Sequence, residues 1–380
     1  RYIQTYNSDG YLIRRMFKRD NRGSSGGTPT RDENGVWGTA FLRNGLGRVI
    51  GIRSLDRDEA FMADSAGIAG FDYAYGKFCR ITSRVCVDLS GSPMADRDNV
   101  TRLDISYDDL GRMVETACFD AGGERVINSS SGVSVIRYGR DSRGFQTSQA
   151  FYDHMLEPCC DPSGICLIVG DVDDNGRPIR QDLYGPDGEL QRCASGFSGM
   201  TCEYNSSGQR TRVRYFGSDG RPAPELSLNV YGMDYIYTDG LLTRINYVDG
   251  QDRPMRNKHG AAALSRDYNS ERQLSREQCL DENGRPVRCT DGYAETRFSY
   301  TDGNCTRADY YDEAGALCRN GNGVASYVRT FQSGQLTSLS CFGPEGEPVF
   351  HSDGWHSLVR SFDEEGLFQQ ESYYGTQGER

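Results

Sequence analysis

A repeat governs this sequence. A large apolar residue recurs at Leu55, Val87, Phe119, Tyr152, Tyr184, Phe216, Val248, Leu280, Tyr311, Phe342 and Tyr374, at intervals of 31 to 33 residues. Each is followed by Asp or Gly: Asp56, Asp88, Asp120, Asp153, Gly185, Gly217, Asp249, Asp281, Asp312, Gly343 and Gly375. Phe17 opens the series, but Lys18 follows it, and the interval to Leu55 is 38 because Gly23-Ser24-Ser25-Gly26-Gly27-Thr28-Pro29 is inserted as a loop. A period this steady requires that each copy be one supersecondary unit packed on its neighbours. It outweighs the two or three globular domains that 380 residues would otherwise suggest.

Each copy reads as strand a, a turn, strand b ending at the apolar anchor, a second turn, and a short extended piece c. Asp239-Gly240, Asp302-Gly303, Asn175-Gly176 and Asn283-Gly284 are turn signals. Pro178, Pro222, Pro254, Pro286 and Pro348 sit beside turns, where a missing N–H does no harm. On strand b, Leu339 and Cys341 share a face, as do Ala308 and Tyr310, Val213 and Tyr215, and Ile245 and Tyr247. Gly35, Gly67, Gly132, Gly164, Gly199, Gly232, Gly260, Gly292, Gly323 and Gly354, with Asn99 once, mark a left-handed turn between copies. No stretch carries a 3.6-residue apolar period.

The expectation is an all-β fold: an elongated tandem β-hairpin repeat array, solenoid-like or a spiral sheet, of about twelve copies of about 32 residues. It runs as one continuous array over 1–380, with the first copy and its loop in 1–34 and the most regular copies in 260–380. Residues 154–170 read as irregular, with His154-Met155-Leu156-Glu157-Pro158 in place of a Gly turn.

Hydrophobic residues make up 36% of the chain, lean for one large core but suited to a thin stacked array. The net charge of −11 argues against nucleic acid as a partner. No apolar run approaches the ~20 residues of a membrane-spanning helix, and no leader is visible, so membrane insertion is not expected. Neither end carries a polar cap, so the chain reads as a processed form or an excerpt of a longer array. Of 43 basic residues only Lys18, Lys77 and Lys258 are lysines, and planar guanidinium groups suit bidentate pairing with carboxylates across strands.

Groups that could carry chemistry are few. His154, Cys159, Cys160 and Cys166 are the one local set of metal-ligand types, although adjacent cysteines suit one ion poorly, and a disulfide-pinned or plain loop is the competing reading. The slot before the anchor holds Cys86, Cys118, Cys279 and Cys341, but Phe151, Leu183, Tyr215, Tyr247, Tyr310 and Tyr373 in other copies, so these thiols read as packing residues. Asp171-Val172-Asp173-Asp174-Asn175-Gly176 imitates the start of a calcium loop without the Glu or the helices that complete one. Arg266, Arg297, Arg329 and Arg360 recur at 31 or 32 residues and suggest a column, either a salt-bridge ladder or a groove for an anionic partner. His154, His259, His351 and His356 belong to no catalytic motif, so no enzyme activity and no cofactor are expected.

Tyr107-Asp108-Asp109-Leu110-Gly111-Arg112 and Tyr311-Asp312-Glu313-Ala314-Gly315 resemble the YD repeats of bacterial RHS and teneurin-type proteins. The likeness covers most of the chain at Tyr/Phe-Asp-x-x-Gly, while the period here is longer than the family's. The resemblance implies a tandem hairpin array from a bacterial surface or secreted protein, extracellular or at the cell surface. The expected role is a non-enzymatic scaffold whose partner is a protein or a second copy, self-assembling end to end. The competing role is a carbohydrate- or cell-surface-binding module that uses Tyr and Arg columns against a glycan.

Overall fold

The computed structural model describes residues 2–17, 32, 35–362 and 368–379. Among them are 24 β-strands and one short 3-10 turn at Lys77–Cys79. The fold is all-β, and no helix is long and apolar enough to cross a membrane. Contacts divide the chain into two compact units, one ending at Cys193 and one starting at Ala194. Within each unit the chain is a succession of antiparallel hairpins.

The copy centred on Leu280 shows the construction. Strands Ala263–Tyr268 and Leu274–Leu280 pair from Ala263↔Leu280 through Arg266↔Glu277 to Tyr268↔Leu274, with a bulge between Asp267 and Tyr268. The next strand, Glu295–Thr301, pairs with Leu274–Leu280 at only three positions: Arg276↔Arg297, Glu277↔Thr296 and Gln278↔Glu295. A long ladder inside each copy and a short one between copies leave the end of strand b free for segment c. Leu280 bridges Pro286. The Val287 N–H donates to the Cys279 carbonyl at 3.0 Å, while the Cys279 N–H donates to Ala294 of the next copy at 2.7 Å. Cys86 repeats this junction with Met94 and Thr101, and Cys341 repeats it with Val349 and His356. The residue before the anchor thus satisfies both backbone groups outside its own hairpin.

Turn chemistry explains the Asp/Gly alternation after the anchor. Asp281 Oδ1 accepts the N–H groups of Asn283 and Arg285 at 2.9 and 2.8 Å, an Asx turn. Asp56, Asp249 and Asp312 do the same in their copies. Where Gly343 and Gly375 stand instead, Glu347 and Glu379 supply the carboxylate to the Glu345 and Gln377 N–H groups. Those carboxylates fill the space that a Cβ on either glycine would need.

The turn between segment c and the next strand a uses the same device, with Asp64, Asp96 and Asp161 accepting from the backbone. Its left-handed residue is Gly67, Asn99, Gly164, Gly260 or Gly292, as the sequence indicates. Gly199 and Gly232 are a correction: they open the strands Gly199–Tyr204 and Gly232–Thr238, and the left-handed residues of those copies are Gly196 (φ 95) and Asn229 (φ 58). Two glycine slots lie three residues apart, and the second answers a different need. A Cβ on Gly232 would stand 2.5 Å from the Val213 carbonyl oxygen.

Residues 154–170 also follow the common course rather than breaking it. Asp153 caps the turn by accepting from Met155 and Glu157, Tyr152 bridges Pro158, and Leu156 takes the left-handed conformation (φ 69) that glycine holds elsewhere. The inserted loop Gly23–Pro29 lies outside the described residues.

The core is a strip rather than a ball. Buried on it are the anchors Leu55, Val87, Val248 and Leu280, and from the slot before them Cys86, Phe151, Tyr247 and Cys341. Val324, Tyr327, Cys341 and Val349 form one cluster, with Tyr310, Leu339 and Trp355 against it. Tyrosine at the end of strand a ties copies together: the hydroxyls of Tyr107, Tyr268 and Tyr300 donate to the carbonyls of Ile81, Leu242 and Leu274 at 2.8 to 2.9 Å.

Leu280→Ala removes a side chain that is 4% exposed, and is expected to lower stability by about 2–5 kcal/mol. The shift of the urea midpoint, with the slope of the transition compared between variants, measures it.

Candidate interaction surface

The face of each hairpin that carries the anchor is polar along the rest of its length. In the second unit a rung of cross-strand neighbours runs Arg244↔Ser265↔Gln278↔Glu295, and the next runs Arg276↔Arg297↔Asp309↔Ser326. Arg276 and Arg297 are like charges placed directly opposite, an unfavourable pairing on its own. Glu295 answers both. Its Oε2 accepts from Arg276 Nη2 at 2.7 Å and Gln278 Nε2 at 2.8 Å, and its Oε1 accepts from Arg297 Nε at 2.5 Å. Glu295 is 4% exposed. Burial raises its pKa, but the Arg276 and Arg297 hydrogen bonds outweigh that and hold it below the usual carboxylate range. Arg307 continues the ladder to Asp309 at 2.8 Å, and Arg214 joins Asp234 at 2.8 Å and Asp252 at 2.5 Å.

Register alters the arginine column. Arg266, Arg329 and Arg360 occupy one slot, opposite Glu277, Leu339 and Glu371. Arg297 lies opposite Asp309, one residue out of step and therefore on the other face. The four do not form one column. Arg266 pairs with Glu277 at 2.7 Å and Arg360 with Glu371 at 2.5 Å. Arg329 has the Cys305 sulfur at 3.6 Å and lies over the Tyr327 ring. The slot is mainly a ladder of cross-strand ion pairs.

The cysteine set near 160 also divides. Cys160 and Cys166 form a disulfide, and Cys159 is a free thiol in segment c whose N–H donates to the Phe151 carbonyl. His154 lies in the turn capped by Asp153. Among the described residues no three His, Cys, Asp or Glu side chains gather as metal ligands. Cys86 and Cys118 are unbridged, and burial pushes both thiols up to about 11. The calcium-like segment is an ordinary turn, in which Asp173 accepts from Asn175 and Arg177 while Asp174 meets Arg143 at 2.9 Å.

A depression of about 390 Å³ in the first unit is lined by Arg53, Asp64, Asp96, Arg97 and Asp98. Its carboxylates are engaged: Asp64 and Asp96 cap turns, and Asp98 accepts from the Ser130 hydroxyl. Arg53 pairs with Asp72 at 2.7 Å. The feature sequence reading passed over is a thiol pair, Cys279 and Cys289, buried in one cluster with Ala261. The signal was present, because Cys289 stands where Asp64, Asp96 and Asn257 stand in other copies.

No protein-family model matches the chain, and a search of curated proteins finds no significant match. Among solved structures, the Tc holotoxin pore of Photorhabdus luminescens aligns over 100% of this chain and 19% of its own, at 13% identity and a TM-score of 0.42. A TcdB2-TccC3 crystal structure aligns over 100% of this chain and 20% of its own, at 16% identity and a TM-score of 0.44. The chain thus spans about a fifth of the length of these structures. Similarity at this level is distant, and the description of the fold rests on this chain's own backbone.

Two outcomes follow from the charge network. Glu295→Gln leaves Arg276 and Arg297 facing each other without an anion, and is expected to cost about 1–3 kcal/mol in urea unfolding. Asp108, Asp249 and Asp281 are held below the usual carboxylate range, first by the backbone N–H of Arg112, Arg253 and Arg285 respectively; Asp173 is lowered first by the Arg177 side chain. A carboxylate with a depressed folded pKa contributes stability that is complete above its unfolded value, about 4, and is lost as pH falls through the folded value. The urea midpoint is therefore expected to be level near neutral pH and to drop below about pH 4.

Proposed function

We propose that this chain is a non-enzymatic structural module, a length of hairpin scaffold in a bacterial surface or secreted protein, with a protein or a second copy as its partner. The observation that carries this reading is that reactive side chains recur once per copy and serve the backbone each time. Asp56, Asp249, Asp281 and Asp312 cap the same turn. Arg266 and Arg360 fill the same ion-pair slot, and Cys86, Cys279 and Cys341 the same packing slot. A catalytic site needs different groups converging once. The exposed polar ladder, with arginine and carboxylate interleaved, suits a protein surface of matching pattern, where such charges set register and specificity more than affinity.

Deleting residues 249–280 removes one whole period and joins Val248 to Asp281, restoring the apolar-Asp junction. A scaffold is expected to stay folded, with a strand-type circular dichroism spectrum and a lower unfolding midpoint. Sedimentation velocity of the intact chain over a range of concentrations is expected to show association with itself or with a supplied protein partner. Loss of the fold in the deletion variant, or a chain that stays monomeric yet binds a glycan array, overturns the proposal.

A further inference from the structure

Cys279 and Cys289 are each 8% exposed and share a cluster with Ala261, Leu264, Val287 and Tyr293. The backbone brings them together: Val287 donates to the Cys279 carbonyl at 3.0 Å, and Cys289 follows two residues later on segment c. The two thiols are hydrogen-bonded to each other. Their surroundings differ. Cys289 occupies the turn position that Asp64, Asp96, Asp161, Asn257 and Asn320 hold elsewhere, and its sulfur receives the N–H groups of Asp291 and Tyr293. A site that other copies fill with a carboxylate stabilises a thiolate. The hydrogen bond from Cys279, with those backbone groups, brings Cys289 down to about 6 against the effect of burial. Cys279 is pushed the opposite way, by its bond to Cys289 and by burial.

We propose that Cys279 and Cys289 are a reversible dithiol/disulfide pair, with Cys289 as the thiol attacked by a small hydroperoxide and Cys279 as the resolving thiol. The Cys289 sulfur displaces the distal oxygen of the peroxide. The O–O bond breaks, an S–O bond forms, and the leaving alkoxide or hydroxide takes a proton. Cys279 gives up its proton and attacks the Cys289 sulfur; the S–S bond forms, the S–O bond breaks and water leaves. Two thiols lose two electrons, and the peroxide is reduced to an alcohol or water, with a second water released. A small neutral oxidant suits a site this enclosed. The product consumes the acceptor on which the Asp291 and Tyr293 N–H groups rely, so oxidation loosens the turn between two copies.

The test is treatment of the intact chain with hydrogen peroxide, alkylation of the remaining thiols, and peptide mass mapping. Trypsin cuts after Arg288 and separates the two cysteines, so a crosslinked peptide pair that dithiothreitol resolves is the expected result. Both cysteines alkylated after oxidation, or Cys289 joined to Cys318 instead, overturns the proposal. Cys289→Asp keeps the turn acceptor; it is expected to fold, to leave Cys279 alkylatable and to reduce that crosslink to background. In Cys279→Ala, Cys289 is expected to accumulate as a sulfenic acid trapped by dimedone, and absence of that adduct overturns its role as the attacked thiol.

Discussion

The backbone junction at the residue before each anchor is the constraint on which the structure depends. Cys279 sends its N–H to the next copy and takes an N–H from its own segment c on its carbonyl, and Cys86 and Cys341 do likewise. One residue therefore fixes the hairpin, its trailing segment and the start of the following hairpin. Its side chain is enclosed because segment c must lie across it to make the bond. That is why the slot accepts Cys, Phe, Leu or Tyr and why every occupant is apolar in character over most of its surface.

Charge is the second layer. Because the interior is a strip, polar side chains on the open face lie within reach of one another, and the sheet sets them in rungs. Pairs such as Arg266 with Glu277 are partly exposed and contribute little each. Glu295 is different, because it is enclosed and separates two arginines that the register has placed face to face. The turn carboxylates are the more general device. They accept backbone N–H groups that would otherwise lack partners, and this links the stability of the array to acid pH.

The same economy of slots explains the thiol pair. A turn position that needs an acceptor holds Asp, Asn or His in most copies, and holds Cys289 in one. The slot across from it holds Cys279, where packing alone is required. Neither residue is unusual for its slot. Their coincidence in one copy places a stabilised thiolate beside a protonated thiol.

The sequence by itself determined the period, the hairpin as the unit, the alternation of faces and the absence of long helices, because anchors and turn residues are local signals that recur at fixed spacing. It also exposed the packing role of the slot before the anchor, since comparison among copies shows what that slot tolerates. What it could not decide was register. Gly199 and Gly232 share a residue type with the left-handed slot but begin strands, and Arg297 matches the spacing of Arg266 and Arg360 yet stands one residue out of step. In a strand a shift of one residue moves a side chain to the opposite face, so a spacing of 31 against 32 separates a column from its reverse side. Only the pairing of strands resolves that difference, and only the fold of segment c over strand b brings Cys289 to Cys279.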